Sequence, residues 1–363
     1  MPSEKRQANL YRALKAQRHI FSSDEVSKYF KAVDKERIDQ LSARISDYIE
    51  AYLPKSFGDR KTLQDYRTNP YVLMTSASVM DLDDVKLFAN FLFNTKFYMG
   101  LETSFGKSIE AAFVEQYPVV GEAKWAAPVE KEREFKSLED LSREDRAVRR
   151  TRSIWREVDK SVVVDNRRFL ISIKSGPNTI NDTQVQAMTD AIISHHKDWA
   201  LATHATYPGT LYLDIVIGLT YGTYRTTNNK ENQILVKLLN NGFIEEDREH
   251  APGVLIDETT RTIRVYRVIG KDFWAFLGNP SSPDTSQHIF LEVLLALTKA
   301  LKISKERMGI EERINLKVQN LAQALFSLQI SKGSLPFWVE DYFSEDELFW
   351  LITAVSSFYD EGV

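Results

Sequence analysis

Hydrophobic positions recur with two different periods along this chain. Up to about residue 94 the apolar residues are spaced as on amphipathic helices, and the longest such run extends from Arg37 to Leu53, closed by Pro54. Beyond residue 155, short β-branched or alternating runs predict strands, with helical patterns between and after them. This order predicts an α/β fold, in which a central mixed sheet is flanked by helices. We place an N-terminal helical region at residues 1–95 and the core, with its C-terminal helices, at residues 96–363.

Two of the short apolar runs predict a β-hairpin. They are Ser161 to Val164 and Phe169 to Ile173, and the residues between them include Asp165 and Asn166, whose side chains tolerate the positive φ of a tight turn. Residues of the second strand alternate between the two faces of the sheet. Leu170, Ser172 and Lys174 therefore share one face. Lys174 is a charged residue at the end of an otherwise apolar strand.

The turn of this hairpin decides which residue lies opposite Asp159. If the turn is Asp165-Asn166, Asp159 faces Ser172; if it is Asn166-Arg167, Asp159 faces Lys174. Directly opposed residues lie about 4.5 to 5.5 Å apart. Both registers bring Asp159 to the face that carries Ser172 and Lys174.

Other elements follow from caps and periodicity. A helix capped by Thr103 or Ser104 carries Glu110, and a second helix begins at Asn181 or Asp182 and extends to about Ser194. His195 and His196 then mark its C-terminus, and their directions about 100° apart do not favour a shared metal. The remaining predictions are a strand over 211–219, a helix ended by Gly242, a hairpin of 254–256 with 262–268, and a buried helix over 289–301.

Composition excludes several classes of chemistry. The chain has no cysteine, which excludes disulfides, thiolate zinc sites and a cysteine nucleophile. It contains no G-x-S-x-G, Walker A or G-x-G-x-x-G motif. Neither a run of about 18 apolar residues nor a secretory leader is seen, so we expect a cytoplasmic protein.

Positive charge is concentrated just ahead of the hairpin, although the chain as a whole carries a net charge of -4. Six arginines fall in this stretch, which we call the arginine cluster: Arg143, Arg146, Arg149, Arg150, Arg152 and Arg156. Two interpretations remain open. The cluster is either a solvated helix paired with Glu139, Asp140, Glu144 and Asp145, or a surface that contacts phosphates.

An Asp on one strand, with acid-x-Lys on its hairpin partner, is the active-site pattern of the PD-(D/E)XK nuclease superfamily, and this hairpin resembles it and, within the superfamily, the type II restriction endonucleases. The matching residues are Asp159 and Ser172-Ile173-Lys174, and the resemblance extends over roughly Glu102 to Trp199. It implies that Asp159 and the Ile173 carbonyl bind Mg²⁺ and that Lys174 holds the attacking water.

Ser172 departs from this pattern, because the family usually has a carboxylate there as a second metal ligand. Some related enzymes with a serine at this position supply the acid from a neighbouring helix. Glu110 is the candidate on the preceding helix, and Glu157 is the candidate two residues before Asp159, on the same face of a strand. The Ser172 hydroxyl can still orient a metal-bound water.

The resemblance implies a Mg²⁺-dependent endonuclease that cuts double-stranded DNA at specific sites as a homodimer, with a DNA methyltransferase encoded nearby. Three alternatives remain: a repair or structure-specific nuclease on the same core, a DNA-binding protein without catalytic activity, and a purely structural hairpin with an Asp159–Lys174 ion pair.

The segment from Thr220 to Asn232 is a candidate for reading DNA sequence, because its side chains are rich in hydrogen-bonding groups. Arginine can bind guanine and asparagine can bind adenine in a bidentate manner. Arg225, Asn228 and Asn229 are therefore candidates for base contacts, and Lys230 for a phosphate contact. The alternative is a polar loop that merely caps the following helix.

Overall fold

The computed structural model describes residues 23–57, 85–108, 117, 123–174, 180–224, 230–245, 253–254, 262–308, 310–330, 344, 346–347, 349–350 and 353. Across these ranges, no helix is both long enough and apolar enough to cross a membrane. The fold is mixed α/β, as predicted, with a mixed sheet flanked by helices.

Ten α-helices and five strands are described in these residues. The helices before the sheet are α1 (Ser23–Ala32), α2 (Lys35–Phe57), α3 (Val85–Ser108), α4 (Val129–Lys136) and α5 (Arg143–Thr151). The sheet region consists of β1 (Lys160–Val164), β2 (Arg167–Lys174), α6 (Asp182–Thr206), β3 (Tyr212–Leu219), α7 (Lys230–Asn240), β4 (Gly253–Val254) and β5 (Thr262–Ile269). The last helices are α8 (Lys271–Gly278), α9 (His288–Met308) and α10 (Ile310–Ile330).

The strands lie in the order β1-β2-β3-β5-β4. The pairs at the two edges, β1 with β2 and β4 with β5, are antiparallel. This confirms the first predicted hairpin and the antiparallel pairing predicted for the second, whose residues 255–261 lie outside the described residues. The central pairs are parallel, and α6 and α7 form the connections between them. Parallel neighbours need such crossovers, since a short turn cannot reverse the chain direction twice.

The first hairpin adopts the first of the two predicted registers. Val164 pairs with Arg167, so the turn is Asp165-Asn166, and Asp165 has a positive φ of 54°. Aspartate is one of the few non-glycine residues that tolerate this conformation. The register therefore places Asp159 opposite Ser172.

Helices cover both faces of the sheet. On one face, apolar side chains of β2 and β3 pack against α6 and α7 in one core cluster, which includes Leu170, Ile215, Ile217, Ile192 and Leu238. On the other face, α8 lies close to β3: a Cβ added to Gly218 would be only 2.5 Å from the Phe273 ring. The sheet is thus a buried central layer, and polar residues inside it require partners.

Three predicted helix boundaries are wrong. Helix α2 continues through Pro54 to Phe57, and α3 runs unbroken through Thr103 and Ser104 to Ser108, so neither residue caps a new helix. Helix α6 extends past Ser194 to Thr206. The predicted boundaries relied on the helix propensities of single residues. Tertiary packing can continue a helix through residues of low helix propensity.

Two side-chain predictions on helices also need correction. His195 and His196 lie inside α6 and not at its C-terminus, and the buried His196 ring nitrogen Nδ1 contacts the Ile192 carbonyl at 2.9 Å. The stretch 289–301 is not buried all round: Ile289 and Val293 are buried, whereas Leu294 is 44% exposed and Leu301 is 56% exposed.

The chain divides into two compact units, each made of two segments. The first comprises Met1–Ile45 and Gly106–Lys299 and contains the whole sheet. The second comprises Ser46–Phe105 and Ala300–Val363, and in it Leu92 and Phe93 of α3 share a cluster with Val318 and Leu321 of α10. A separate N-terminal region over residues 1–95 remains a prediction.

A fully buried arginine joins the hairpin to two helices. Arg168 makes a bidentate ion pair with Glu130 of α4 (3.0 and 2.7 Å) and donates to Ser161 of β1 and Thr203 of α6. Burial raises the pKa of Glu130, but the hydrogen bonds from Arg168 and Thr206 outweigh this and lower it below its usual value. The ion pair therefore fixes the hairpin against its helical layer.

Replacing Arg168 with methionine should destabilise the fold by about 3 kcal/mol, because breaking a buried ion pair leaves one charge without its partner. Urea unfolding followed by circular dichroism measures this loss. Arg133→Met is the control, since Arg133 is exposed on the same helix as Glu130. Equal stability of the two variants would contradict the structural role given to Arg168.

Candidate functional site

Asp159 lies immediately before β1 and its carboxylate turns toward the end of β2. Its backbone N–H donates to the Ile171 carbonyl (2.9 Å), which extends the β-ladder by one residue. Its Oδ2 accepts a hydrogen bond from the Ile173 backbone N–H at 2.6 Å, and the Ser172 hydroxyl lies 3.5 Å from the same oxygen. The backbone of β2 thus positions one oxygen of this carboxylate.

The second carboxylate oxygen, Oδ1, accepts no hydrogen bond from any residue that the structure describes. Asp159 as a residue is partly exposed to solvent. One oxygen is held and the other is available, which is the arrangement expected of a monodentate metal ligand.

Lys174 lies on the same face of β2 as Ser172, two residues further along the strand. It is partly exposed, and no carboxylate within the described ranges pairs with it. Its backbone carbonyl accepts from Thr220, so the end of β2 remains tied to β3. The Asp159–Lys174 ion pair of the purely structural alternative is not formed.

The Ile173 carbonyl is the second predicted metal ligand. Within one strand residue, N–H and C=O point toward the same neighbouring strand, and the Ile173 N–H points toward Asp159. The carbonyl therefore points to the same side of β2 as the carboxylate. Mg²⁺ prefers such oxygen ligands and keeps several waters, so one carboxylate and one carbonyl fit its requirements.

Glu157 does not lie on a strand with Asp159. Residues 154–157 form a turn, in which the Val158 N–H donates to the Trp155 carbonyl, and the Glu157 carboxylate pairs with Arg156 at 3.3 Å. The predicted shared face, which assumed an extended backbone, is therefore wrong. In the ranges described, no group of three or more histidines and acids is arranged to hold a metal ion.

Several predicted site residues lie outside the described residues. They are Glu110, the other candidate for the missing acid, and the three candidates for base contacts, Arg225, Asn228 and Asn229. Lys230 is described: it is the first residue of α7, and its amino group pairs with Asp182 at the start of α6. This ion pair joins the N-terminal ends of the two crossover helices.

A partly buried ion pair near this end of the sheet was not predicted from the sequence. Strand register places Arg267 of β5 level with Ser172, with Ile217 between them. Arg267 donates to Glu231 of α7 at 3.1 Å, and burial raises the pKa of Glu231. The signal was present in the sequence, because Arg267 interrupts the apolar alternation of Ile263, Val265 and Ile269.

Within the part of the chain that the structure describes, no arginine of the cluster forms an ion pair with Glu139, Asp140, Glu144 or Asp145. The predicted pairing of a solvated helix with these acids is therefore not seen. Arg146 instead donates to the Leu141 carbonyl, and Arg150 lies over the Phe135 ring at 5.0 Å.

The sequence matches no model of a known protein family, and no curated protein sequence matches it either.

Proposed function

We propose that this protein is a Mg²⁺-dependent endonuclease that hydrolyses phosphodiester bonds of double-stranded DNA at specific sites, in the manner of type II restriction endonucleases of the PD-(D/E)XK superfamily. One observation carries the proposal. The Asp159 carboxylate is hydrogen-bonded to the Ile173 backbone, beside Ser172 and on the side of the hairpin that carries Lys174.

The requirements of phosphodiester hydrolysis can be assigned to these residues and a bound cation. Hydrolysis requires a water to attack phosphorus, a P–O ester bond to break and the leaving oxygen to gain a proton. A bound Mg²⁺ would supply charge stabilisation and a more acidic water. Asp159 and the Ile173 carbonyl would hold the cation, and Ser172 would orient a water by its hydroxyl.

Lys174 would bind the attacking water and help to remove its proton. A lysine at the end of an apolar strand, without an acidic partner among the described residues, is available for this role.

The acid that replaces the usual carboxylate at Ser172 belongs to this proposal as well. Glu157 is engaged with Arg156, whereas Glu110 is a prediction that rests on its place in the sequence before the hairpin. We favour Glu110. The homodimer and a DNA methyltransferase encoded nearby follow from the resemblance and are parts of the same proposal.

Incubation of the purified protein with several genomic DNAs and Mg²⁺ should give discrete bands, and none when the cation is chelated. A smear would instead favour the repair or structure-specific nuclease. Binding of duplex DNA with no cleavage under any condition would favour the inactive DNA-binding protein and contradict the proposal.

A further inference from the structure

The arginine cluster forms an exposed basic surface directly before the hairpin. From Arg146 to Arg156 the chain contains five arginines and no acid. Successive residues of helix α5 are about 100° apart around the helix axis. The side chains of four arginines therefore lie within a sector of about 120°: Arg143, Arg146, Arg149 and Arg150. Glu144 and Asp145 lie outside that sector. The positive charges therefore share one side of the helix.

Three members of the cluster are available to a ligand. Arg146, Arg150 and Arg156 are engaged by Leu141, Phe135 and Glu157, respectively. Arg143, Arg149 and Arg152 are exposed, and among the described residues none of the three has a hydrogen-bonding or ionic side-chain partner.

The segment between this surface and Asp159 is held in place. Ser153 donates to Glu134 at 2.7 Å, Trp199 donates to the Ile154 carbonyl at 3.1 Å, and Lys131 donates to the Val158 carbonyl at 2.6 Å. Arg152 and Asp159 are seven positions apart, which is at most about 25 Å of extended chain, and the turn at 154–157 shortens this distance. The surface and the candidate site are therefore fixed close to one another.

We propose that Arg143, Arg149 and Arg152 bind the phosphate backbone of the same DNA duplex whose scissile phosphate lies at Asp159. Guanidinium groups suit phosphate oxygens, because they offer several donors in one plane. A duplex carries about one negative charge per 1.7 Å of its axis, so phosphates flanking the cut lie within reach. This inference rests on the proposed function, from which duplex DNA follows as the ligand.

The test compares two triple variants for binding to a random 30-base-pair duplex, measured by fluorescence anisotropy without Mg²⁺ over a series of salt concentrations. R143Q/R149Q/R152Q should reduce the slope of log Kd against log salt concentration by about 2 to 3, since each lost phosphate contact removes about 0.9. The control, K28Q/K31Q/K35Q, removes three exposed charges from α1 and the start of α2 and should change the slope by less than about 1.

An unchanged slope for the arginine variant, or equal reductions in both variants, would overturn the inference. If the triple variant does not fold, Arg149→Gln and Arg152→Gln should each reduce the slope by about 1, and no reduction in either would overturn the inference.

The outcome is separate from that of the proposed function: binding through the cluster without any cleavage by the wild type would contradict only the nuclease proposal. Cleavage by the wild type with an unchanged slope would contradict only this inference.

Discussion

Asp159→Asn should reduce DNA cleavage by about 1000-fold or more while the protein stays folded. Loss of an anionic metal ligand removes several kcal/mol of transition-state stabilisation, and each 1.36 kcal/mol corresponds to about tenfold in rate. The asparagine carbonyl oxygen can still accept the hydrogen bond from the Ile173 N–H, so the hairpin should keep its structure. Single-turnover cleavage of a labelled duplex measures the effect.

Asp165→Asn is the matched control for this variant. It makes the same chemical change on the same hairpin, at an exposed turn residue whose positive φ asparagine also tolerates. We expect cleavage at the wild-type rate. Comparable activity of the Asp159 and Asp165 variants would show that the Asp159 carboxylate takes no part in the reaction.

Lys174→Met should reduce the cleavage rate by about 100-fold or more, because a positioned proton acceptor typically contributes a factor of about 10² to 10⁴. Methionine keeps the length and apolar stem of the side chain, so the end of β2 should remain in place. Binding to the duplex should weaken little, since most phosphate contacts come from other residues. Cleavage and anisotropy measurements on one preparation separate the two effects.

Lys160→Met serves as the control for the lysine variant, because Lys160 begins β1 on the same hairpin and is also partly buried. Its cleavage rate should stay within a factor of a few of the wild type. A wild-type rate in Lys174→Met, or an equal fall in both variants, would contradict a specific role of Lys174 in proton transfer.

The elements that could be predicted from the sequence are those that local rules determine. Asp165 and Asn166 favour a tight turn, and the observed register is one of the two that the sequence allowed. Asn181 caps α6, and Gly242 adopts the positive φ expected at the end of α7. Each of these features depends on a few consecutive residues.

Features that depend on tertiary contacts could not be predicted in the same way. Glu157 follows the period of a strand, but the chain turns at 154–157, where the buried Trp155 packs near Trp199. The bidentate pairing of Arg168 with Glu130 joins residues 38 positions apart. No local pattern specifies such a partner, because loops and helices of any length can bring the two together.

Paramagnetic relaxation by Mn²⁺ tests the central claim most directly, because it reports where a divalent cation binds without requiring the correct DNA sequence. In an NMR titration of the free protein, Mn²⁺ should broaden the backbone amide signals of Ser172 and Ile173 before that of Arg168, at the other end of β2. The broadening should disappear in Asp159→Asn and persist in Asp165→Asn. Selective broadening that persists in the Asp159 variant, or no selective broadening near Ile173 in the wild type, would contradict a metal site at this hairpin.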